Sequence, residues 1–148
     1  MPTTLAFVDT NVLLYAVSTN PSETEKRRVA REILAAGQIG FSAQVAQEFF
    51  VNATRKLKPP LSSDDALKFL HELLASRIAD LDFTLFREAV EIHGRFHISY
   101  WDAAILAAAK RLGATILYSE DLSDGQNFEG IQVVNPFRAG FTISSIKM

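Results

Sequence analysis

Cysteine is missing altogether from this 148-residue sequence. That absence removes disulfides, thiolate metal sites and cysteine nucleophiles, so any bound metal must be held by oxygen or by histidine. Long hydrophobic runs are lacking as well: the longest covers residues 103–109, far short of the roughly 20 residues that cross a bilayer. The opening stretch MPTTLAFVDTN has no basic segment, and Asp9 and Asn11 interrupt its apolar run before signal-peptide length. The expectation is a cytoplasmic protein with no membrane partner. Nor is there an excess of either charge. Lys and Arg total 15 against 17 Asp and Glu, a net charge of -2, so a polyanionic partner needs a local basic surface. Repeats and low-complexity segments are absent, and the Pro-Pro and Ser-Ser-Asp-Asp stretch reads as a surface turn, because either flank alone is too small for a second core. With 48% hydrophobic residues, one domain over residues 1–148 is expected.

Short apolar runs rich in Val, Ile and Phe alternate with longer stretches of helical spacing, the pattern of α/β architecture. Leu5-Ala6-Phe7-Val8 reads as a strand buried on both faces of a parallel sheet, since the run is continuous rather than alternating. Helix is expected from about residue 12. Ser22 and Glu25 have the spacing of a capping box, opening a helix that stops at Gly37. Further strands are expected at residues 39–42, 78–81, 115–118 and 131–134. Further helices are expected at 43–57, from Ser62 to about Leu74, at 84–93 and at 100–112, the last closed by Gly113. The turn-rich stretch SEDLSDGQNFEG reads as a loop over the end of the sheet. Tyr100, Trp101 and the 11 Phe residues read as core, and His71, His93 and His97 show no metal-ligand spacing.

Several acids occupy awkward places. Asp9 follows the first strand directly and precedes Val12-Leu13-Leu14, where a charge is costly to bury and needs a partner; capping the next helix is its purely structural use. Asp102 opens a helix that is apolar on every face and so buried. Its spacing from Ser99 is also that of a capping box, and the helix dipole favours a carboxylate there. Thr115-Ile116-Leu117-Tyr118 delivers Ser119, Glu120 and Asp121 to the end of another strand. Open α/β sheets place ligands at the carboxyl ends of strands, which puts Asp9 and Asp121 on one rim, although Asp and Ser are also ordinary turn residues. Glu48 lies off the apolar stripe of Val45, Ala46, Phe49, Phe50, Ala53 and Leu57, and spacing alone reads it as solvated. Lys26, Arg27, Arg28 and Arg31 form one basic run and Arg55, Lys56 and Lys58 another. Each is either a phosphate guide, a protein-facing surface or a solvated face.

Together, FVDTNVLLYA, Gln47-Glu48-Phe49, SYWDAAILAAA, and LYSEDL leading to GIQVVNPF resemble the PIN domain in order and spacing across nearly the whole chain. The DGQNFEGIQVVNPF ending is similar to the VapC toxins in particular. The resemblance implies a three-layer α/β/α PIN-like domain with a central, mainly parallel sheet of about five strands. It also implies four acids that meet at one end to bind Mg²⁺ or Mn²⁺. By position these are Asp9, Glu48, Asp102 and Asp121, supported by Asn11 and by Ser119, which stands where a threonine is more usual. Glu120 and Asp124 lie close enough to be alternatives to Asp121. An all-oxygen set suits hard divalent cations, and crowded carboxylates raise one another's pKa unless a cation compensates them. Asp9 and Asp102 are the first choice for direct ligands.

The activity so implied is that of an endoribonuclease hydrolysing RNA phosphodiester bonds with metal-activated water. The implied setting is a toxin–antitoxin pair, with the toxin dimeric and held inactive by a VapB-like antitoxin. Two other classes fit the same residues: a PIN nuclease of RNA processing outside such a pair, and a non-catalytic binding module whose acids are caps and turns. A phosphoacceptor receiver domain also clusters acids at strand ends, but its tandem acids near the first strand and its late lysine have no match here.

Overall fold

The computed structural model describes residues 4–73 and 76–143. Its centre is a sheet of six strands: β1 (Ala6–Val8), β2 (Ile39–Ser42), β3 (Arg77–Ala79), β4 (Ile116–Tyr118), β5 (Asn127–Phe128) and β6 (Ile131–Val134), in the order β3-β2-β1-β4-β6-β5. β1 pairs in parallel with β2 and β4, β2 with β3, and β4 with β6, while β5 runs antiparallel to β6. Six helices connect them: α1 (Thr10–Val17), α2 (Thr24–Ala35), α3 (Ala43–Arg55), α4 (Ser63–Glu72), α5 (Phe83–Phe96) and α6 (Tyr100–Leu112).

The chain steps outward from β1 to β2 to β3 and then crosses back past β1 to β4. Connections between parallel strands are right-handed, so reversing the direction of travel puts the returning helices on the other face of the sheet. Accordingly α1 packs on α2 and α3, and α3 on α4, whereas α5 packs on α6 and α6 on β2, β3 and β6. The result is a three-layer α/β/α fold. Phe7, Val8, Leu117 and Val133 are fully buried, because strands covered on both faces have no solvent side to alternate with. Residues 103–109 of α6 are buried all round, and alanine at five of those seven positions lets α5 and the sheet approach closely. Gly113 (φ 77°) closes α6 as expected, donating to the carbonyls of Ala109 and Lys110. Among the described residues no helix is long and apolar enough to cross a membrane.

Three expectations change. Ser22 and Glu25 do not form a capping box. Asn20 accepts from the Ser22 N–H (3.0 Å), Pro21–Glu23 form a 3₁₀ turn, and α2 starts only at Thr24. Asn followed by Pro is a strong start signal placed one turn earlier, and it wins. The segment read as a loop contains β5, joined to β6 by Glu129 (φ 53°) and Gly130 (φ 98°). Two left-handed residues are what a two-residue hairpin turn demands, but a two-residue strand has no periodicity to detect. The aromatics are not all core: Trp101 is 65% and Phe83 72% exposed, and Phe50 and Phe86 are exposed as well. Helical spacing reports that a face is apolar, not what covers it. The expected end of α4 near Leu74 lies outside the described residues.

Gly40 lies in the middle of β2, and a Cβ there would meet Leu112 Cδ1 at 2.8 Å and the Arg77 carbonyl oxygen of β3 at 3.0 Å. A backbone oxygen cannot swing aside as a side chain can. Gly40→Ala is expected to lower stability by about 1–3 kcal/mol through this overpacking. The measurement is the urea midpoint at unchanged slope, and a midpoint at or above wild type would show that α6 and β3 yield freely.

Candidate metal centre

The reversal of strand order falls between β1 and β4, and at such a point the loops leaving the two strands diverge and open a crevice at their carboxyl ends. Asp9 follows β1 and Ser119 follows β4, and the two strands are in register, Val8 opposite Tyr118. The residues after each strand are therefore neighbours although 110 positions apart. The Ser119 hydroxyl donates to Asp9 Oδ2 at 2.8 Å. Asp9 Oδ1 accepts from the Thr10 N–H at 2.7 Å, so the capping role foreseen for Asp9 is also fulfilled. Ser119 is fully buried, and its oxygen in turn accepts from the N–H groups of Asp121 (3.1 Å) and Leu122 (3.3 Å), which folds the loop after β4 around it.

Asp9 is only 7% exposed. Burial pushes its pKa up from an ordinary 3.8 to about 6; the bonds from Ser119 and Thr10 oppose that rise, and the charges of Asp121 and Glu48 add to it. Glu48, exposed on α3, accepts from the Thr10 hydroxyl at 3.2 Å. Asn11 links the other side, donating from Nδ2 to Asp121 Oδ2 (3.3 Å) and accepting the Glu120 N–H on Oδ1 (3.4 Å). Thus the cap of α1, Asp9, and its first two residues, Thr10 and Asn11, each hold one part of the rim. Asp102 stands in the first turn of α6, where its N–H donates to Ser99 Oγ at 3.0 Å. Its link to the others runs through Gln44, whose Nε2 lies 3.5 Å from both Glu48 Oε1 and the Trp101 carbonyl oxygen.

The structure therefore joins Asp9, Glu48, Asp121, Asn11 and Ser119 in one network and leaves Asp102 at its edge. Among the described residues, no three His, Asp or Glu side chains stand close enough to hold an ion as they lie. Glu48 and Asp121 are exposed, and their carboxylates are held by the neutral side chains of Thr10, Gln44 and Asn11. The two alternative acids are engaged elsewhere: Glu120 with Lys26 (2.8 Å) and the Tyr15 hydroxyl (2.6 Å), Asp124 with Arg138 (3.3 Å) and the Asn135 N–H (2.8 Å). By contrast Asp9, Glu48, Asp102 and Asp121 have no ion pair among the described residues. Sequence reading missed Thr10, Gln44 and Tyr15, of which only Thr10, lying between Asp9 and Asn11, carried any signal; Lys26 was named only as part of a basic run, not as the partner of Glu120. An oxygen-only donor set with uncompensated negative charge fits a hard divalent cation.

The family model for the PIN domain matches residues 6–123, a stretch that contains Asp9, Asn11, Glu48, Asp102, Ser119 and Asp121. The chain belongs to the PIN domain family. Among solved structures, this PIN domain is similar to VapC20 of Mycobacterium tuberculosis, a sarcin–ricin loop cleaving toxin, with 19% identity and a TM-score of 0.63 over 78% of this chain and 89% of that one. It is also similar to a chain of a toxin–antitoxin complex from Klebsiella pneumoniae, with 23% identity and a TM-score of 0.61 over 89% and 98%. VapBC2 from Rickettsia felis, solved with a DNA fragment of its promoter, matches with 15% identity and a TM-score of 0.59 over 88% and 97%. At these identities the likeness is one of fold. Comparison with curated protein sequences gave no significant match.

A PIN domain with Asp9 so placed has a pH-dependent weakness when metal-free. Folding raises this carboxyl's pKa to about 6, so the folded state binds the proton more tightly than the unfolded chain. The penalty is absent below the unfolded value, grows as pH rises toward 6, and reaches roughly 2–3 kcal/mol above it. Asp9→Asn, which removes the charge, is expected to raise the thermal midpoint of metal-free protein at pH 7.5 and to leave it nearly unchanged at pH 4. A lowered midpoint at pH 7.5 would mean that the ionised carboxylate stabilises the fold.

Proposed function

We propose that this chain is a metal-dependent endoribonuclease, using Mg²⁺ or Mn²⁺, and the toxin of a VapBC-type pair in the cytoplasm. The observation that carries the reading is Asp9: a buried carboxylate at the strand-order reversal, held by one hydroxyl and one N–H, faced by two further acids and offset by no cation of the protein. An ordinary cap does not need that company.

Asp9 and Asp102 are the residues assigned to hold the ion directly, with Glu48 and Asp121 completing the set. When bound, the cation neutralises charge on the phosphate and makes a water molecule more acidic. Ser119 and Thr10 fix the orientation of the Asp9 carboxylate, and each of its oxygens, which accepts one hydrogen bond, keeps a lone pair that could serve the ion. Glu48 has Oε1 engaged by Thr10 and keeps Oε2 to accept the proton of the attacking water. The water oxygen bonds to phosphorus, the phosphorus–oxygen bond opposite it breaks, and the departing oxygen takes up a proton from solvent. Asn11 keeps Asp121 from swinging out of this arrangement.

The toxin role rests on the likeness to toxins of toxin–antitoxin pairs, and it brings a VapB-like antitoxin and a second copy of the chain as partners. A surface suited to protein contact is present: Phe83, Phe86, Tyr100 and Trp101 follow one another with ring centroids 5.5, 5.8 and 5.1 Å apart, and of the four all but Tyr100 are exposed. An exposed apolar strip of this kind is an interaction surface rather than a lost core.

Asp9→Asn and Asp102→Asn are each expected to reduce Mg²⁺-dependent cleavage of total RNA by at least about a hundredfold, the scale of losing a group that acts in proton transfer and charge stabilisation. Circular dichroism is expected to stay unchanged, and chelation to abolish wild-type cleavage. Full cleavage by either purified variant would refute the reading.

A further inference from the structure

The two basic runs of the sequence look alike on paper, and the structure separates them. In the α2 run, Lys26 is paired with Glu120, and Arg28 with Glu25 and Glu32. Arg27 and Arg31 donate to the carbonyls of Ser18 and Ala16 at the end of α1. That run ties α2 to its neighbours: two of its four cations are ion-paired, and the other two keep their charge but have their guanidinium groups fastened to the end of α1. Among the described residues, the cations with neither an ion pair nor a hydrogen bond are Arg55, Lys56, Lys58, Lys68 and Arg87. Three of these five fall within four consecutive positions at the end of α3, and all three are exposed.

Their position relative to the acids follows from the helix. Glu48 and Arg55 are seven residues apart on α3, nearly two full turns, so they share one face with a rise of roughly 10 Å between them. Asn52 lies between them on that face and is fastened by its Nδ2 bond to the Glu48 carbonyl at 2.8 Å. Beyond Arg55 the chain turns into an open cleft of about 290 Å³, walled by Lys56, Lys58 and Pro59 on one side and by Ser18, Thr19 and Asn20 on the other. The acid on its wall, Glu23, has Oε1 occupied by the Ser18 hydroxyl at 2.6 Å. A chain with net charge -2 has no global attraction to a polyanion, which makes a local concentration of uncommitted cations decisive.

We propose that Arg55, Lys56 and Lys58 form a phosphate track that carries single-stranded RNA along the exposed face of α3, from the acid rim at Glu48 to the cleft below α1. This rests on the nuclease reading and extends it by assigning the substrate's path. A short stretch of single strand spans the distance, and its phosphates leave the acid rim for the nearest unpaired positive charge on the same helix. An acidic protein segment meets the charge requirement equally, but it has no reason to lie in line with the cleaving acids.

The test compares two variants built on Asp102→Asn protein, so that RNA is bound and not cut. The track variant carries Arg55→Gln, Lys56→Gln and Lys58→Gln; the control loses the same charge elsewhere through Arg28→Gln, Lys68→Gln and Arg87→Gln. Binding of a labelled single-stranded RNA of mixed sequence is followed from about 50 to about 200 mM salt in the presence of Mg²⁺. The track variant is expected to bind at least about tenfold more weakly, with a salt slope shallower by about 2, while the control stays near the parent. Equal behaviour of the two variants alongside clear binding by the parent overturns the track and leaves the nuclease reading standing. Absence of RNA binding both by the parent and by wild-type protein kept from cleaving by a chelator overturns both. A track variant that keeps RNA but loses polyglutamate assigns the patch to an acidic protein segment, which also overturns the proposal.

Discussion

The rim of this molecule depends on one hydrogen bond, from the Ser119 hydroxyl to the Asp9 carboxylate. It joins the ends of β1 and β4 where the strand order reverses, and both of its partners are buried. Burying a carboxylate is expensive unless its charge is met, and here the protein meets it only in part. One hydroxyl and one N–H orient Asp9 without neutralising it, and the neighbouring acids push its pKa higher. The proposed cation would supply the positive charge that the protein itself does not place there. The same serine oxygen receives two N–H groups of the following loop, so Asp121 is positioned by the bond that orients Asp9.

From that point the architecture explains why the other acids are near. α1 leaves β1 at Asp9, and its first residues reach in two directions: Thr10 toward Glu48 on α3 and Asn11 toward the loop after β4. α6, apolar on every side, is locked between α5 and the sheet, which fixes the place of its first turn and of Asp102 within it. Tyr15 and Lys26 draw Glu120 to the side of α1 and α2, so adjacent acids on one loop face different tasks.

How much of this was legible in the sequence varies with the physics behind each feature. Buried elements were readable because burial on all sides leaves an unbroken apolar run: residues 5–8 contain β1, and α6 spans the expected 100–112 with Gly113 as its stop. Local chemistry was readable where one signal stood alone, as at Ser62 and Ser99, and misread where two competed, as at Asn20-Pro21 and Ser22. β5 escaped because its hairpin is defined by two left-handed residues rather than by a pattern. The exposed aromatics escaped because apolar spacing does not distinguish a core from a surface that awaits a partner. At the site, Asp9 and Asp121 stood out by following strands. Glu48 had no periodic reason to be chosen and was named from the family resemblance alone. The Tyr15–Glu120 and Thr10–Glu48 bonds join residues 105 and 38 positions apart, a relation that exists only after the sheet has formed.

The separated carboxylates are proposed to converge on a divalent cation. That convergence is tested most directly by diffraction from a crystal equilibrated with Mn²⁺, with data collected at the manganese absorption edge. An anomalous peak is expected within about 2.2 Å of an Asp9 oxygen, with Asp102 drawn into the same coordination sphere. No peak at the rim, or a peak confined to acids elsewhere such as Asp124, would contradict it.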